Sequence, residues 1–147
     1  MPDRVRDIDR TDEVIRTVDV SLPEFLETVY QRALRQIVSN MASGRDAMGR
    51  SWAALDPATV AAKGHSTPLV DSGDLMDNIE EASEFDAKSN AAIFSSSLPY
   101  AGVHEFGMAE RNIPPRPFLQ PGLQYAAEIS DEVWQDEVDN AIQSELL

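Results

Sequence analysis

The chain of 147 residues contains no cysteine, two histidines and only two lysines, Lys63 and Lys88. Without cysteine there is neither a disulfide framework nor a thiolate metal site. Two histidines leave few schemes for nucleophilic or metal chemistry. No apolar run approaches the roughly 18 residues of a membrane-spanning helix. The opening stretch MPDRVRDIDRTDEV is too charged for a secretory leader. These absences predict a protein made in a cytoplasm, without membrane contact, unless it leaves inside a larger particle. Internal repeats and low-complexity tracts are missing too.

Acid is what the chain has in excess: 26 acidic against 12 basic side chains, a net charge of −14. Residues 1–63 hold 9 basic and 10 acidic groups, whereas residues 64–147 hold 3 and 16. A surface this negative repels DNA phosphates and argues against a general nucleic-acid binder. Acid excess with scarce lysine suits a host with molar internal salt, where the Debye length shrinks to about 3 Å. An ordinary acidic protein of a mesophile is the alternative. Length predicts one domain, 1–147, large enough for a core of its own.

Read in order, residues 1–12 alternate in charge and predict a flexible arm. Residues 14–20, VIRTVDV, have the β-branched content of a strand. A helix is then predicted from the capping box Ser21–Glu24, with Pro23 in its first turn and Val20 and Phe25 at the staple positions. Its stripe is Leu22, Leu26, Val29, Ala33, Ile37 and Met41, and Gly44 ends it. Arg32 and Arg35 lie off that stripe and read as solvated. Residues 45–54 show no period, and Trp52 among them reads as buried by its size. Asp56-Pro57 caps a short helix that Lys63 and Gly64 close. His65 reads as a loop residue. Asp71 or Ser72 caps the next helix, with Leu75 and Ile79 as its apolar pair. Asp71, Asp74 and Asp77 recur at i, i+3 and i+6, a row that could hold Mg²⁺ or Ca²⁺, although helical spacing is not the loop geometry of a cation site. Residues 81–87 and 91–97 predict a hairpin turning at Lys88-Ser89-Asn90, with Ile93 inward and serines on the outer face or at the edge. Residues 120–147 predict an acidic C-terminal helix with the stripe Leu123, Ala127, Trp134, Val138, Ala141 and Ile142.

The most distinctive stretch is SLPYAGVHEFGMAERNIPPRPFL, residues 97–119. Tyr100, Val103 and Phe106 fall on one stripe of a short helix that Gly107 stops. Pro114, Pro115 and Pro117 then predict an extended arm, because each proline forces its predecessor out of the α region. Phe118 and Leu119 form the arm's apolar tip. His104-Glu105 begins like the zinc motif H-E-x-x-H, but Met108 stands where the second histidine belongs. No nucleophile elbow, phosphate-cradling loop or dinucleotide fingerprint is present. The chain reads as no enzyme, with no catalytic residue and no cofactor.

Four segments, GRSWAALDPAT (49–59, followed by Lys63), LVDSGDLMDNI (69–79), YAGVHEFG (100–107) and IPPRPFL (113–119), occur in an order and spacing that resemble the tailed-phage virion morphogenesis and tail-completion proteins, including the Mu-type G protein. The resemblance covers residues 44–125. It implies an α+β structural virion protein that forms a homo-oligomeric ring, a hexamer, at the head–tail junction or the top of the tail. Neighbouring partners would be neck or connector and tail-tube or tail-terminator proteins, with DNA only as cargo passing the lumen. Tyr100, His104, Phe106, Arg111, Arg116, Phe118 and Leu119 are the expected subunit-interface residues, Arg116 pairing with a carboxylate and the tip docking either on its own domain or on a neighbour. An acidic C-terminal helix facing the lumen would not bind the passing phosphates. Two other classes stay open: a carboxylate–metal hydrolase using Asp71, Asp74, Asp77 and His104, and an acidic adaptor for a cellular partner.

Overall fold

A computed structural model describes the backbone of residues 2–69 and 73–146, with side chains for residues 22–69 and 73–144. Its longest element is α1 (Pro2–Met41), and it ends on α5 (Gln120–Leu146). Between them come α2 (Pro57–Lys63), α3 (Asp74–Ala82), a hairpin of β1 (Glu84–Asp86) and β2 (Ala91–Ile93), α4 (Ala101–Phe106) and a 3-10 turn (Ala109–Arg111). A long N-terminal helix, a two-stranded antiparallel sheet, short helices and a C-terminal helix make the fold α+β.

Helix α1 begins ahead of where the sequence placed it: residues 2–12 belong to it, residues 14–20 are helical rather than a strand, and Pro23 lies inside the helix rather than in its first turn. The sequence contains the reason for the first. Asp3–Arg6, Asp7–Arg10 and Asp12–Arg16 are acid-first pairs three or four apart, a spacing that supports a helix. β-branched residues lower helix propensity by only some tenths of a kcal/mol each, too little to break a helix formed on both sides. Pro23 removes one backbone hydrogen bond, a loss of about 3 kcal/mol. The turns that follow it compensate by packing.

They pack on α5. Phe25 meets Trp134 edge to face with ring centres 5.1 Å apart, Val29 joins Ile129 and Val133, and Ile37 lies against Gly122. Positions rise along α1 as they fall along α5, so the two helices run antiparallel. Arg32, expected in solvent, reaches Glu132 across them at 3.7 Å. The expected stripe of α5 holds at Trp134 and Ala141 and shifts at the start of the helix, where Leu123 and Ala127 are exposed and Pro121, Gly122 and Ile129 are buried. There Ile129 and a glycine, not the larger Leu123, mark the contact.

Gly122 sets how closely the helices approach. A β-carbon there would overlap Cδ1 of Ile37 and lie 2.6 Å from its Cγ1. Ile37 is fully buried, so its side chain yields only by disturbing its core neighbours. Alanine would gain up to about 1 kcal/mol of helix propensity, but overpacking costs about 1–3 kcal/mol. Gly122→Ala is therefore expected to lower the urea midpoint, and a raised midpoint would show that the helices can slide apart.

The main core joins Ile37, Met41, Ala47, Trp52, Leu75, Ile79, Ala101 and Phe118. Leu75 and Ile79 are the expected apolar pair of α3, and Trp52 is buried as expected. Asp56 caps α2 by accepting from Thr59 N–H at 3.0 Å, and Gly64 closes it in the left-handed region. Asp71 and Ser72 lie outside the described residues, so their expected cap is not placed. The aperiodic stretch after α1 turns around buried Asp46, whose carboxylate accepts from the N–H groups of Met48 and Arg50 and from the Arg50 guanidinium.

Ile93 is a further correction. The register pairs it with Glu84 and pairs Phe85 with Ala92. Successive strand residues face opposite ways, so Ile93 shares the outer face with Glu84 and is 48% exposed. Phe85 and Phe94 instead stack on Tyr30 of α1. The serines do not form a free outer face. Ser95 bonds Ser83 and the Ala82 carbonyl, and Ser96 and Ser97 bond Asn78, tying the strand's continuation to α3.

Candidate functional site

Helix α4 carries its apolar stripe away from the core: Phe106 is 82% exposed and Tyr100 43%, while Val103 is half-buried. The buried residues are Ala101 and Glu105. A carboxylate is buried in place of a phenyl ring because of what it meets.

Glu105 meets the start of α5. Its Oε2 accepts from the N–H groups of Phe118 at 2.8 Å and Leu119 at 3.0 Å, and its Oε1 accepts from Gln120 N–H at 3.0 Å. Gln120 opens α5, and Phe118 and Leu119 lead into it, so none of the three N–H groups has an acceptor within the helix. The helix dipole adds a positive potential at the same place. A buried carboxylate with three charge-assisted bonds is a stable arrangement. Beyond an incomplete zinc motif, Glu105 carries no local signal of this role. The available signal lay downstream: Leu119-Gln120-Pro121-Gly122 starts a helix without Ser, Thr, Asp or Asn at its cap, so the acceptor must come from elsewhere.

The segment between α4 and α5 first reverses and then extends. Met108 and Ile113 exchange backbone bonds of 2.8 and 3.0 Å around the 3-10 turn. Gly107 is required at the reversal: its φ is +75°, and a β-carbon would lie 2.8 Å from Pro115 N and 2.9 Å from Ile113 O. Residues 113–119 then lie against the domain. Arg116 N–H donates to His104 O at 2.7 Å, and Trp52 Nε1–H donates to Pro117 O at 2.8 Å. The Arg116 guanidinium donates to the carbonyls of Ala53 and Ala54 at 2.8 and 3.1 Å.

The expected interface residues therefore divide. Phe118 and Arg116 are buried in their own domain, 1% and 7% exposed, and Leu119 is half-buried against the main core. Of the two placements open to the arm, its own domain or a neighbour, the single chain takes the first, held down by the Glu105 and Trp52 bonds. Tyr100, Phe106 and Arg111 remain on the surface, with His104 half-buried between them and the core. Beside Phe106 a shallow hollow of about 560 Å³ is lined by Met108, Ile113, Pro114 and Pro115.

On the other side of the arm lies a cavity of about 890 Å³ lined by Lys63, His104, Arg111 and Arg116, with Tyr100, Asp56 and Asp74 at its walls. Asp77 is exposed on α3. His104 stands edge to face with Tyr100, ring centres 5.7 Å apart. Its Nδ1 is buried without a hydrogen-bond partner. Burial holds the imidazole below its ordinary pKa, and the nearby charges of Arg116 and Lys63 lower it further.

The sign of the resulting pH dependence follows. The folded imidazole resists protonation while the unfolded one binds its proton near 6.5. The unfolded state then holds more protons, and stability rises with pH. Stability should be lost as pH falls below about 6.5 toward the lower folded value. Urea midpoints between pH 8 and 5.5 should fall less in His104→Asn than in the parent. Parallel curves would show that this ring does not titrate in the fold.

No family model and no solved structure matches the chain. It is 42% identical over 72 residues to Mu-like prophage FluMu G protein 2 of Haemophilus influenzae, covering 46% of this chain and 49% of that protein. It is 38% identical over 56 residues to an uncharacterized protein of Methanocaldococcus jannaschii, covering 38% of this chain and 42% of that protein. The chain thus spans about half the length of the relatives it matches. Over somewhat less than half of its own length, this chain is similar to a Mu-like prophage G protein, a partial likeness that fits a phage structural protein.

Proposed function

We propose that the chain is a structural protein of a tailed-phage particle, copies of which assemble into a ring at the head–tail junction or the top of the tail. The partial likeness to a Mu-like prophage G protein supports the particle. One structural observation carries the assembly: α4 turns its apolar stripe outward and leaves Phe106 82% exposed beside an apolar hollow. A large aromatic ring left in water next to a concave apolar surface marks a protein interface. Burying it would contribute about 1.5–3 kcal/mol per contact. The docked arm supports this role by holding α4 rigid from behind, through Glu105 and the His104 carbonyl. In this reading the ring, a hexamer, joins neck or connector proteins to the tail, and no catalytic step or cofactor is assigned to the chain. The particle would be assembled in the host cytoplasm, and the acidic residues of α5 beyond Asp131 would suit a lumen through which DNA passes as cargo.

Phe106→Ser tests the proposal, because the ring contributes little to the folded monomer. The variant is expected to keep its helical circular dichroism and thermal midpoint. It should lose assembly, read by native mass spectrometry across protein concentration in low and molar salt. A parent chain that stays monomeric in all these conditions, or a variant that assembles as well as the parent, overturns it.

A further inference from the structure

The cavity beneath the arm is out of keeping with the rest of the molecule. The chain has 12 basic side chains against 26 acidic ones, yet three of the basic ones, Lys63, Arg111 and Arg116, line one cavity together with His104. Among the described residues two acids, Asp56 and Asp74, share its wall, and Asp56 is engaged as the cap of α2. Among the described residues, no carboxylate oxygen lies within 4.0 Å of any of the three cations. Among the described residues, buried Arg116 is answered by two backbone carbonyls alone, and the buried Nδ1 of His104 has no partner. A cavity of about 890 Å³ is large enough for several side chains. A buried cation without a counter-charge is an unfavourable state that a carboxylate would relieve.

Complementary charge is available on the same chain. Residues 120–146 carry acid and no base, and Glu128 and Asp131 stand exposed on the side of α5 opposite its contact with α1. We infer that this cavity is the socket for carboxylates from the outer face of α5 of a second copy, Glu128 and Asp131 entering among Lys63, Arg111 and His104. The inference rests on the ring proposed above and names its second contact. A socket on one face that receives a different face of the next copy is a heterologous contact, the kind that propagates into a closed ring when the rotation per copy is right. The Phe106 surface supplies apolar area, and the socket fixes orientation and excludes a face-to-face dimer, since like charges would then oppose one another.

The test is a charge swap read by native mass spectrometry and sedimentation. Lys63→Glu with Arg111→Glu, and separately Glu128→Lys with Asp131→Lys, should each raise the concentration for half-assembly by at least about tenfold. The quadruple variant should recover most of that loss. A local readout accompanies it: the imidazole of His104, followed by NMR with His65 as the internal reference, should titrate at higher pH in assembled parent than in Phe106→Ser monomer, because a carboxylate has entered. Both double variants assembling like the parent, or a quadruple variant with the summed defect of the two, overturns the socket while the ring stands. Loss of assembly confined to Phe106→Ser has the same meaning. A parent that never assembles removes the ring and the socket together.

Discussion

Phe118→Ala will lower the stability of the fold by about 3–5 kcal/mol, the range for removing a phenyl ring from a packed core. Phe118 is 1% exposed and touches the main cluster from the far end of the chain. Its loss removes contacts with segments before and after it and opens a cavity that neighbours fill only in part. A domain of this size has about 5–15 kcal/mol in total, so the variant should be partly unfolded on mild heating and melt at far lower urea. Phe118→Leu should lose less, because much of the volume remains. Urea unfolding followed by circular dichroism decides the matter. If Phe118→Ala instead unfolds within 1 kcal/mol of the parent and fails only to assemble, the ring belongs to a neighbour's interface and the docked arm is wrong.

Glu105→Ala is the second large effect, by a different mechanism. The substitution strands three N–H donors, on Phe118, Leu119 and Gln120. A buried donor without a partner costs about 1–3 kcal/mol. Phe118 N–H is buried and must bear most of that, whereas Gln120 is exposed and water can replace its acceptor. The expected loss is therefore about 3 kcal/mol rather than three full penalties. Glu105→Gln should lie between, since the amide keeps one acceptor oxygen but turns an NH₂ group toward a donor. Hydrogen exchange at residues 118–123 should speed up in Glu105→Ala before the rest of α5 is affected. Unchanged protection there would show that the carboxylate is not the cap. Because Glu105 also anchors α4, the variant should present Phe106 less rigidly and assemble more weakly than its stability alone explains.

Much of the fold was legible along the chain because its signals are local. The apolar spacing of Val29, Ala33, Ile37 and Met41 marks the buried face of α1, and all four are buried. Asp56-Pro57 and Gly64 bracket α2 as their chemistry requires, and Leu75 and Ile79 face inward from α3. What was misread depended on contacts made elsewhere. Pro23 read as a helix start, but packing of the later turns on α5 carries the helix past it. Ile93 read as inward, but its cross-strand partner is Glu84. Spacing starts the stripe of α5 at Leu123, but the close approach of Ile37 to Gly122 turns the first part of the helix to another face.

The candidate site divides along the same line. The residue types and order between Ser97 and Leu119, the short helix, its glycine stop, the proline-bound extension and the acidic composition of α5 are determined by the sequence alone. They follow from backbone sterics and charge, which need no distant partner. Which side of α4 faces water, whether Phe118 belongs to its own core, and that Lys63, Arg111 and Arg116 meet around one cavity were decided only by the tertiary structure. Those outcomes turn on one long-range contact. The free N–H groups at the start of α5 attract Glu105, so the carboxylate goes in, the phenyl ring of Phe106 is turned out, and the arm between them is pulled down onto the domain.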